Sequence, residues 1–156
     1  MCNYPAQGGG AVTESEDLPL SGHQVLPHTA DVALAAWAPS RAECIAEAVR
    51  ALVESFADVT DAAPGGSIAF PVEPEGDDDL LVSVLDEAIY QIEVHDRVPV
   101  DVEVAEDSDG GGIVRFATVP TDSVEPVGAI PKGVSWHDLQ FGCSGGTWRC
   151  HVTVDV

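Results

Sequence analysis

Two aspartates are placed where a carboxylate does chemistry or nothing at all. Asp31 ends the short polar break His28-Thr29-Ala30-Asp31, which separates Gln24-Val25-Leu26-Pro27 from the apolar run Val32-Ala33-Leu34-Ala35-Ala36-Trp37-Ala38. Asp155 lies in Thr153-Val154-Asp155-Val156, a strand-like run at the other end of the folded region. A carboxylate directly before a buried strand is costly to desolvate unless it is paired, hydrogen-bonded or bound to a metal. The residues alone leave two readings open. Asp31 is either a turn cap bonded to its own backbone, as Asp in turns commonly is, or one member of a polar site.

The remaining chemistry-bearing residues narrow the choice. The four cysteines, Cys2, Cys44, Cys143 and Cys150, contain no Cys-x-x-Cys pair, so a structural zinc site has little support. There is no Gly-rich phosphate loop, nucleophile elbow or His-Glu-x-x-His motif. Asp77-Asp78-Asp79 precedes an apolar helical stripe and reads as a helix start, where acidic groups offset the macrodipole and cap free N–H groups. The chain carries 27 acidic residues against 6 Lys and Arg, a formal net charge of -21. Such a field repels phosphate backbones, so direct nucleic-acid binding is not expected, and basic proteins or divalent cations become the natural partners. Only one of the cations is a lysine, Lys132.

The elements that must position these groups follow from periodicity. In 156 residues, 45% of them hydrophobic, one domain with a sizeable core is expected. Residues 1–22 are small, polar and acidic, with a run of three glycines, and read as a disordered acidic leader ahead of a single domain over 23–156. A short strand over 23–26 is followed, after the polar break, by a second over 32–38. Ser40 with Glu43 three residues on is a capping-box pattern. It opens a helix whose apolar positions are Ile45, Ala48, Val49, Leu52, Val53 and Phe56. A third strand over 68–72 contains Pro71 and belongs at a sheet edge. The second helix carries Leu80, Leu81, Val84, Leu85, Ala88, Ile89 and Ile92. Strict alternation over 98–104, a turn over 107–112 and a return over 113–119 make a hairpin. A loop over 121–130 leads to a last hairpin, 134–141 with 147–154, turning at Ser144-Gly145-Gly146. With Gly145-Gly146 at its centre, Cys143 faces Trp148 and Phe141 faces Cys150. The two cysteines are then diagonal neighbours about 7 Å apart and packed thiols. The alternation breaks at Asp138. The expected fold is α+β, a mostly antiparallel sheet with two helices packed on one side, in the order β-β-α-β-α-β-β-β-β.

Several of these stretches together resemble the archease family. His28-Thr29-Ala30-Asp31 looks like that family's opening signature. Asp79-Leu80-Leu81-Val82 with Leu85-Asp86-Glu87 is similar to the start of its second helix. Lys132-Gly133-Val134-Ser135-Trp136-His137 resembles its Lys-Ala-Val-Thr-Tyr-His segment, with Gly, Ser and Trp in place of Ala, Thr and Tyr. The end Thr153-Val154-Asp155-Val156 resembles its terminal Asp followed by a branched aliphatic residue. The resemblance implies a non-catalytic protein cofactor of an RtcB-type RNA ligase. Such a cofactor promotes GTP-dependent guanylylation of the ligase and multiple turnover in tRNA splicing or RNA repair. It also implies a divalent cation, calcium foremost with magnesium or manganese as alternatives, held by Asp31, Asp155 and Val156. Lys132 would match the family's functional lysine, and His28 and His137 would stand behind the ligands.

The chemistry agrees with that ligand set, since two carboxylates and a chain-end oxygen make an all-oxygen site for a hard cation. A second reading is a metal-dependent hydrolase with Asp31 and Asp155 as ligands and His28 or His137 as base. It requires a substrate recess that no segment of the sequence visibly supplies. No run approaches the roughly 20 apolar residues of a membrane span, and no Lys or Arg precedes the first apolar residues as in a signal peptide. A cytoplasmic location, with thiols kept reduced, is therefore expected.

Overall fold

Ser40 adopts an extended conformation and its hydroxyl accepts the backbone N–H of Glu43 at 3.1 Å, which starts α1 (Arg41–Glu54) where the capping pattern places it. The buried side of α1 carries Cys44, Ile45, Ala48, Val49, Leu52 and Val53. α2 (Asp77–His95) begins behind Gly76 with no side-chain cap, and Asp77, Asp78 and Asp79 fill its first turn. Asp79 instead accepts the N–H of Glu75 at 3.0 Å, tying the entry loop to the helix. α2 ends on Asp96 in the left-handed conformation, whose N–H bonds the carbonyl of Gln91.

The computed structural model describes residues 20–27, 31–109 and 111–156. Around the helices run β1 (Gly22–Pro27), β2 (Asp31–Ala38), β3 (Ala57–Asp58), β4 (Gly66–Val72), β5 (Arg97–Glu106), β6 (Gly112–Pro120), β7 (Glu125–Pro126), β8 (Gly133–Ser144) and β9 (Thr147–Asp155). The fold is α+β and mostly antiparallel, as expected. Its strands divide into a four-stranded sheet in the order β1-β2-β9-β8, a three-stranded sheet in the order β4-β6-β5, and the small pair β3-β7. β7 and a 3-10 turn, Thr121–Ser123, lie in the stretch read from the sequence as loop, and the sequence gives no strand signal at β3. Two paired residues per strand are too few to produce a periodic signal. Pro71 lies in β4, an edge strand, where its missing N–H costs no ladder bond.

Each helix lies against both large sheets, α1 on β2 and β5, α2 on β8 and β5. The inward faces of β2 and β9 supply Leu34, Ala36, Ala38, Trp148, Cys150, Val152 and Val154 to the core. Phe116 is fully buried and meets Phe70 edge-on at 5.2 Å. The hairpin β8–β9 turns at Gly145 and Gly146, both with positive φ, and pairs Cys143 with Trp148 and Phe141 with Cys150 as the sequence predicts. Cys150 is a free buried thiol, as is Cys44. The contact with the Cys150 thiol, together with burial, pushes the Cys44 thiol well up from its ordinary value. Cys143 is disulfide-bonded and not the packed thiol expected, although its partner is not Cys150, which diagonal spacing rules out. The expected leader falls on residues outside the described part as far as residue 19, and Gly22 already belongs to β1.

Few cations are available, and three of them staple elements together. Arg41 joins Asp77 at 2.7 Å and Glu106, linking the starts of both helices to the end of β5. Arg50 joins α1 to Asp101 of β5 at 3.2 Å. His23 of β1 meets Glu47 at 2.6 Å through one ring nitrogen and Glu54 at 2.8 Å through the other. Burial opposes its charge, but the hydrogen bonds to Glu54 and Glu47 and their charges prevail, and its pKa is raised. Only imidazolium donates from both nitrogens; the neutral ring turns a lone pair toward one carboxylate. A pKa raised on folding stabilises the fold fully below the unfolded value of about 6.5, and the contribution fades as pH climbs through the folded value. The melting temperature of the wild type should therefore fall relative to His23→Gln as pH is raised from about 6 to 9. Parallel melting curves across that range would remove His23 from the stability of the β1–α1 joint.

Candidate functional site

β2 starts on Asp31 and β9 ends on Asp155. The two strands pair so that Asp31 and Asp155 are direct cross-strand partners. Side chains of directly opposed residues in an antiparallel pair share a face, with Cβ atoms about 4.5–5.5 Å apart. Both carboxylates therefore emerge on the side of the sheet away from Val32 and Val154, which face the helices. β8 begins opposite the same point, with Gly133 also paired to Asp155. The Lys132 N–H donates to the Asp155 carbonyl at 2.8 Å, so the chain arrives at this corner with its lysine fixed one residue from the carboxylates. The Lys132 side chain is exposed, and Val156, directly after β9, is half-buried. Four of the residues singled out in the sequence, from three separate segments, thus meet at one corner of the four-stranded sheet. His28 lies outside the described residues.

Beside that corner the outer sheet face carries a recess of about 400 Å³, lined by Leu26, Asp31, Ala33, Ser135, His137, Asp138, His151 and Thr153 among the described residues. Asp31 belongs to it, and His137 stands on its rim, 87% exposed and within 3.2 Å of the Asp138 carboxylate. At that exposure the pair contributes little to stability. The rim owes its shape to a break in β8. The ladder with β9 is regular to Ser135, is lost over the next four residues and resumes at Gln140, and Asp138 takes φ 59. The alternation break in the sequence at Asp138 is this bulge, and bulges commonly re-aim side chains beside functional sites. His151 was not singled out from the sequence. It lies four residues before Asp155 in a strand, so period two alone places it on the same face.

Among the described residues no three His, Cys, Asp or Glu side chains converge closely enough to hold a metal ion by themselves. The corner offers two opposed carboxylates and main-chain carbonyls, and a third strong ligand would have to be a backbone oxygen or water. In the terms of donor chemistry this is a set for a hard, oxygen-seeking cation rather than for zinc.

Residues 23–156 match the model of the "Archease protein family (MTH1598/TM1083)". The chain belongs to the archease family. It is 45% identical over 136 residues to a "Probable protein archease" of Mycobacterium tuberculosis (strain CDC 1551 / Oshkosh), covering 87% of this chain and 75% of that one. To the "Protein archease" of Methanopyrus kandleri it is 28% identical over 138 residues, covering 84% of this chain and 96% of that one. Two solved archease-like structures share the fold. The solution structure of Methanobacterium thermoautotrophicum protein 1598 superposes with TM-score 0.70 at 19% identity, covering 86% of this chain and 99% of that chain. The crystal structure of a Thermotoga maritima archease, described as a "possible chaperone", superposes with TM-score 0.61 at 20% identity, covering 85% of this chain and 96% of that chain. The HTAD break, the Lys132 segment and the Asp155-Val156 pair all fall inside the matched residues. Among the described residues no helix is long and apolar enough to cross a membrane.

Proposed function

We propose that this archease is a non-catalytic cofactor of an RtcB-type RNA ligase, acting in tRNA splicing or RNA repair by promoting guanylylation of the ligase and its turnover. The observation that carries the reading is the corner itself. Asp31 and Asp155 are opposed across β2 and β9, and the Lys132 segment is hydrogen-bonded to Asp155. A divalent cation, calcium foremost, would sit between the two carboxylates with the Val156 main-chain oxygen and water completing its shell, in the 6–8 oxygen coordination such ions take. Bound there it supplies local positive charge that offsets the repulsion of the two aspartates. The chain's own residues do the rest. Lys132 presents its ammonium to the partner, and Ser135, His137, Asp138, His151 and Thr153 line the surface next to it. A net charge of -21 disfavours contact with RNA and favours contact with the cationic surroundings of an RNA-binding enzyme.

The same recess is a specific reason to keep the hydrolase reading in the test, because it places His137 and Asp31 around one space of about 400 Å³. Purified chain is incubated alone with phosphoester substrates, then with an RtcB-type ligase and GTP. The expected result is no cleavage alone and faster formation of the guanylylated ligase in its presence. Metal-dependent phosphoester cleavage by the chain alone, abolished by Asp31→Ala, would replace the cofactor reading with the hydrolase one. No effect in either assay would remove both.

A further inference from the structure

On the opposite side of the β8 bulge the structure carries a second surface that the metal corner does not use. Trp136 is the most exposed aromatic residue among those described, at 56%. It is turned out by the same four-residue break in the β8–β9 ladder that exposes His137 and Asp138. It does not stand alone. With Phe141 it lines a recess of about 490 Å³ against the first turn of α2, whose described lining is Glu75, Gly76, Asp77, Asp78, Asp79, Trp136 and Phe141. Phe141 is anchored against the buried Trp148, with ring centroids 5.2 Å apart and planes tilted by 52°, so the aromatic wall is continuous with the core. Four of the described lining residues are acidic and none is basic. Asp77 is engaged by Arg41 at 2.7 Å and Asp79 by the Glu75 N–H, while Asp78 and Glu75 are exposed residues of the recess.

We propose that this recess docks an extended segment of a partner protein by an arginine, stacked on the Trp136 indole and paired with Asp78 or Glu75. Chemistry selects that occupant. An exposed indole beside carboxylates favours a cation, through attraction to the ring face and through ion pairing at once. A planar guanidinium does both better than an ammonium, since it stacks on an aromatic face and bonds a carboxylate with two parallel N–H groups. A second copy of this chain is disfavoured, because each would bring a charge of -21. Arg41, which pairs with Asp77 of this recess, is committed to Asp77 and Glu106 and is not among the recess's described lining residues.

The surface is distinct from the Asp31–Asp155 corner, so it can fail while the cofactor reading stands, and the reverse. The probe is a short peptide of alternating Arg and Gly, titrated into the full chain by calorimetry, with a Lys-Gly peptide of equal length and charge alongside. The Arg peptide should bind the wild type more tightly than the Lys peptide. Trp136→Ala should weaken Arg-peptide binding by about tenfold or more, the scale expected for a desolvated stacking anchor. Asp78→Asn should weaken it by a smaller factor. The control is Asp58→Asn with Asp61→Asn, which removes at least as much charge from the acidic patch near β3 and β7 and should leave binding unchanged. Three results overturn the proposal. In one, Trp136→Ala binds as well as the wild type. In another, the control loses as much as Asp78→Asn, which would reduce the interaction to the overall charge. In the third, the wild type is dimeric and Trp136→Ala monomeric, which would assign the face to a second copy. Trp136 is exposed, so its removal should leave the melting temperature unchanged, and the Asp78→Asn arm keeps the test independent of the aromatic substitution.

Discussion

Asp31→Ala and Asp155→Ala should each abolish the rise in melting temperature that calcium or manganese gives the wild type. The two carboxylates are direct partners across β2 and β9. At a separation of about 5 Å, two like charges near a protein surface repel by about 1–3 kcal/mol at effective dielectrics between 80 and 20. A cation between them converts that repulsion into attraction. Folding stability then rises by about 2.7 kcal/mol when the ion is present at a hundred times its dissociation constant. In a chain of this size, 2–4 °C per kcal/mol makes the shift about 5–10 °C. The sign in the absence of metal runs the other way. Removing the Asp155 carboxylate, one of two that repel, should leave Asp155→Ala at least as stable as the wild type in chelator. A general destabilisation would lower both curves together, so only loss of the gap between them reports the site. A variant that retains the full wild-type gap displaces the cation from this corner. The same variants should cut ligase activation by about 10–100-fold, the range in which altered metal surroundings usually act.

How much of this corner was readable beforehand depends on the range over which each signal acts. The register of β8 on β9 followed from local chemistry. Gly145 and Gly146 supply the positive φ of the turn, and every pair from Ser144↔Thr147 to Phe141↔Cys150 is then fixed by counting. The broken alternation at Asp138 gave the bulge its place, but period two carries no information about how far a bulge pushes Trp136 into solvent. Asp31 and Asp155 were each visible as carboxylates at strand ends. Their opposition was not, because the register of β2 on β9 spans more than a hundred residues and depends on which strands share a sheet. For the same reason the division into two sheets did not show. Alternation identifies a half-buried strand without naming its neighbour. The ion pairs of Arg41 and the bridge from His23 to Glu47 and Glu54 were equally hidden, since charged positions on opposite elements carry no periodic signature. His151 is legible from its spacing to Asp155, since residues four apart in a strand share a face.

Lys132→Ala should fold normally, keep the cation-dependent rise in melting temperature, and nevertheless slow guanylylation of the cognate ligase by about tenfold or more. The lysine's structural contribution is made by its main chain, whose N–H bonds Asp155 and survives the substitution. Its side chain is exposed, and truncating an exposed side chain away from caps and buried networks rarely changes stability by more than about 0.5 kcal/mol. What the substitution removes is the only lysine of the chain, held one residue from the paired aspartates. An ammonium there can meet a carboxylate of the ligase or a phosphate of GTP, both of which form charge-assisted hydrogen bonds. Tenfold in rate corresponds to about 1.4 kcal/mol of barrier, less than one such bond in a water-poor interface supplies. Lys132→Arg separates two modes of action. If charge alone is needed, arginine restores most of the rate; if a compact donor must enter a narrow space, it does not. The measurement is single-turnover guanylylation at saturating GTP with wild type and variants at equal concentration. Equal rates for wild type and Lys132→Ala would take the lysine out of the mechanism and leave the aspartate corner to act without it. A wild type that fails to accelerate the step would withdraw the ligase from the reading, while leaving the cation-dependent melting shift to be explained by the fold alone.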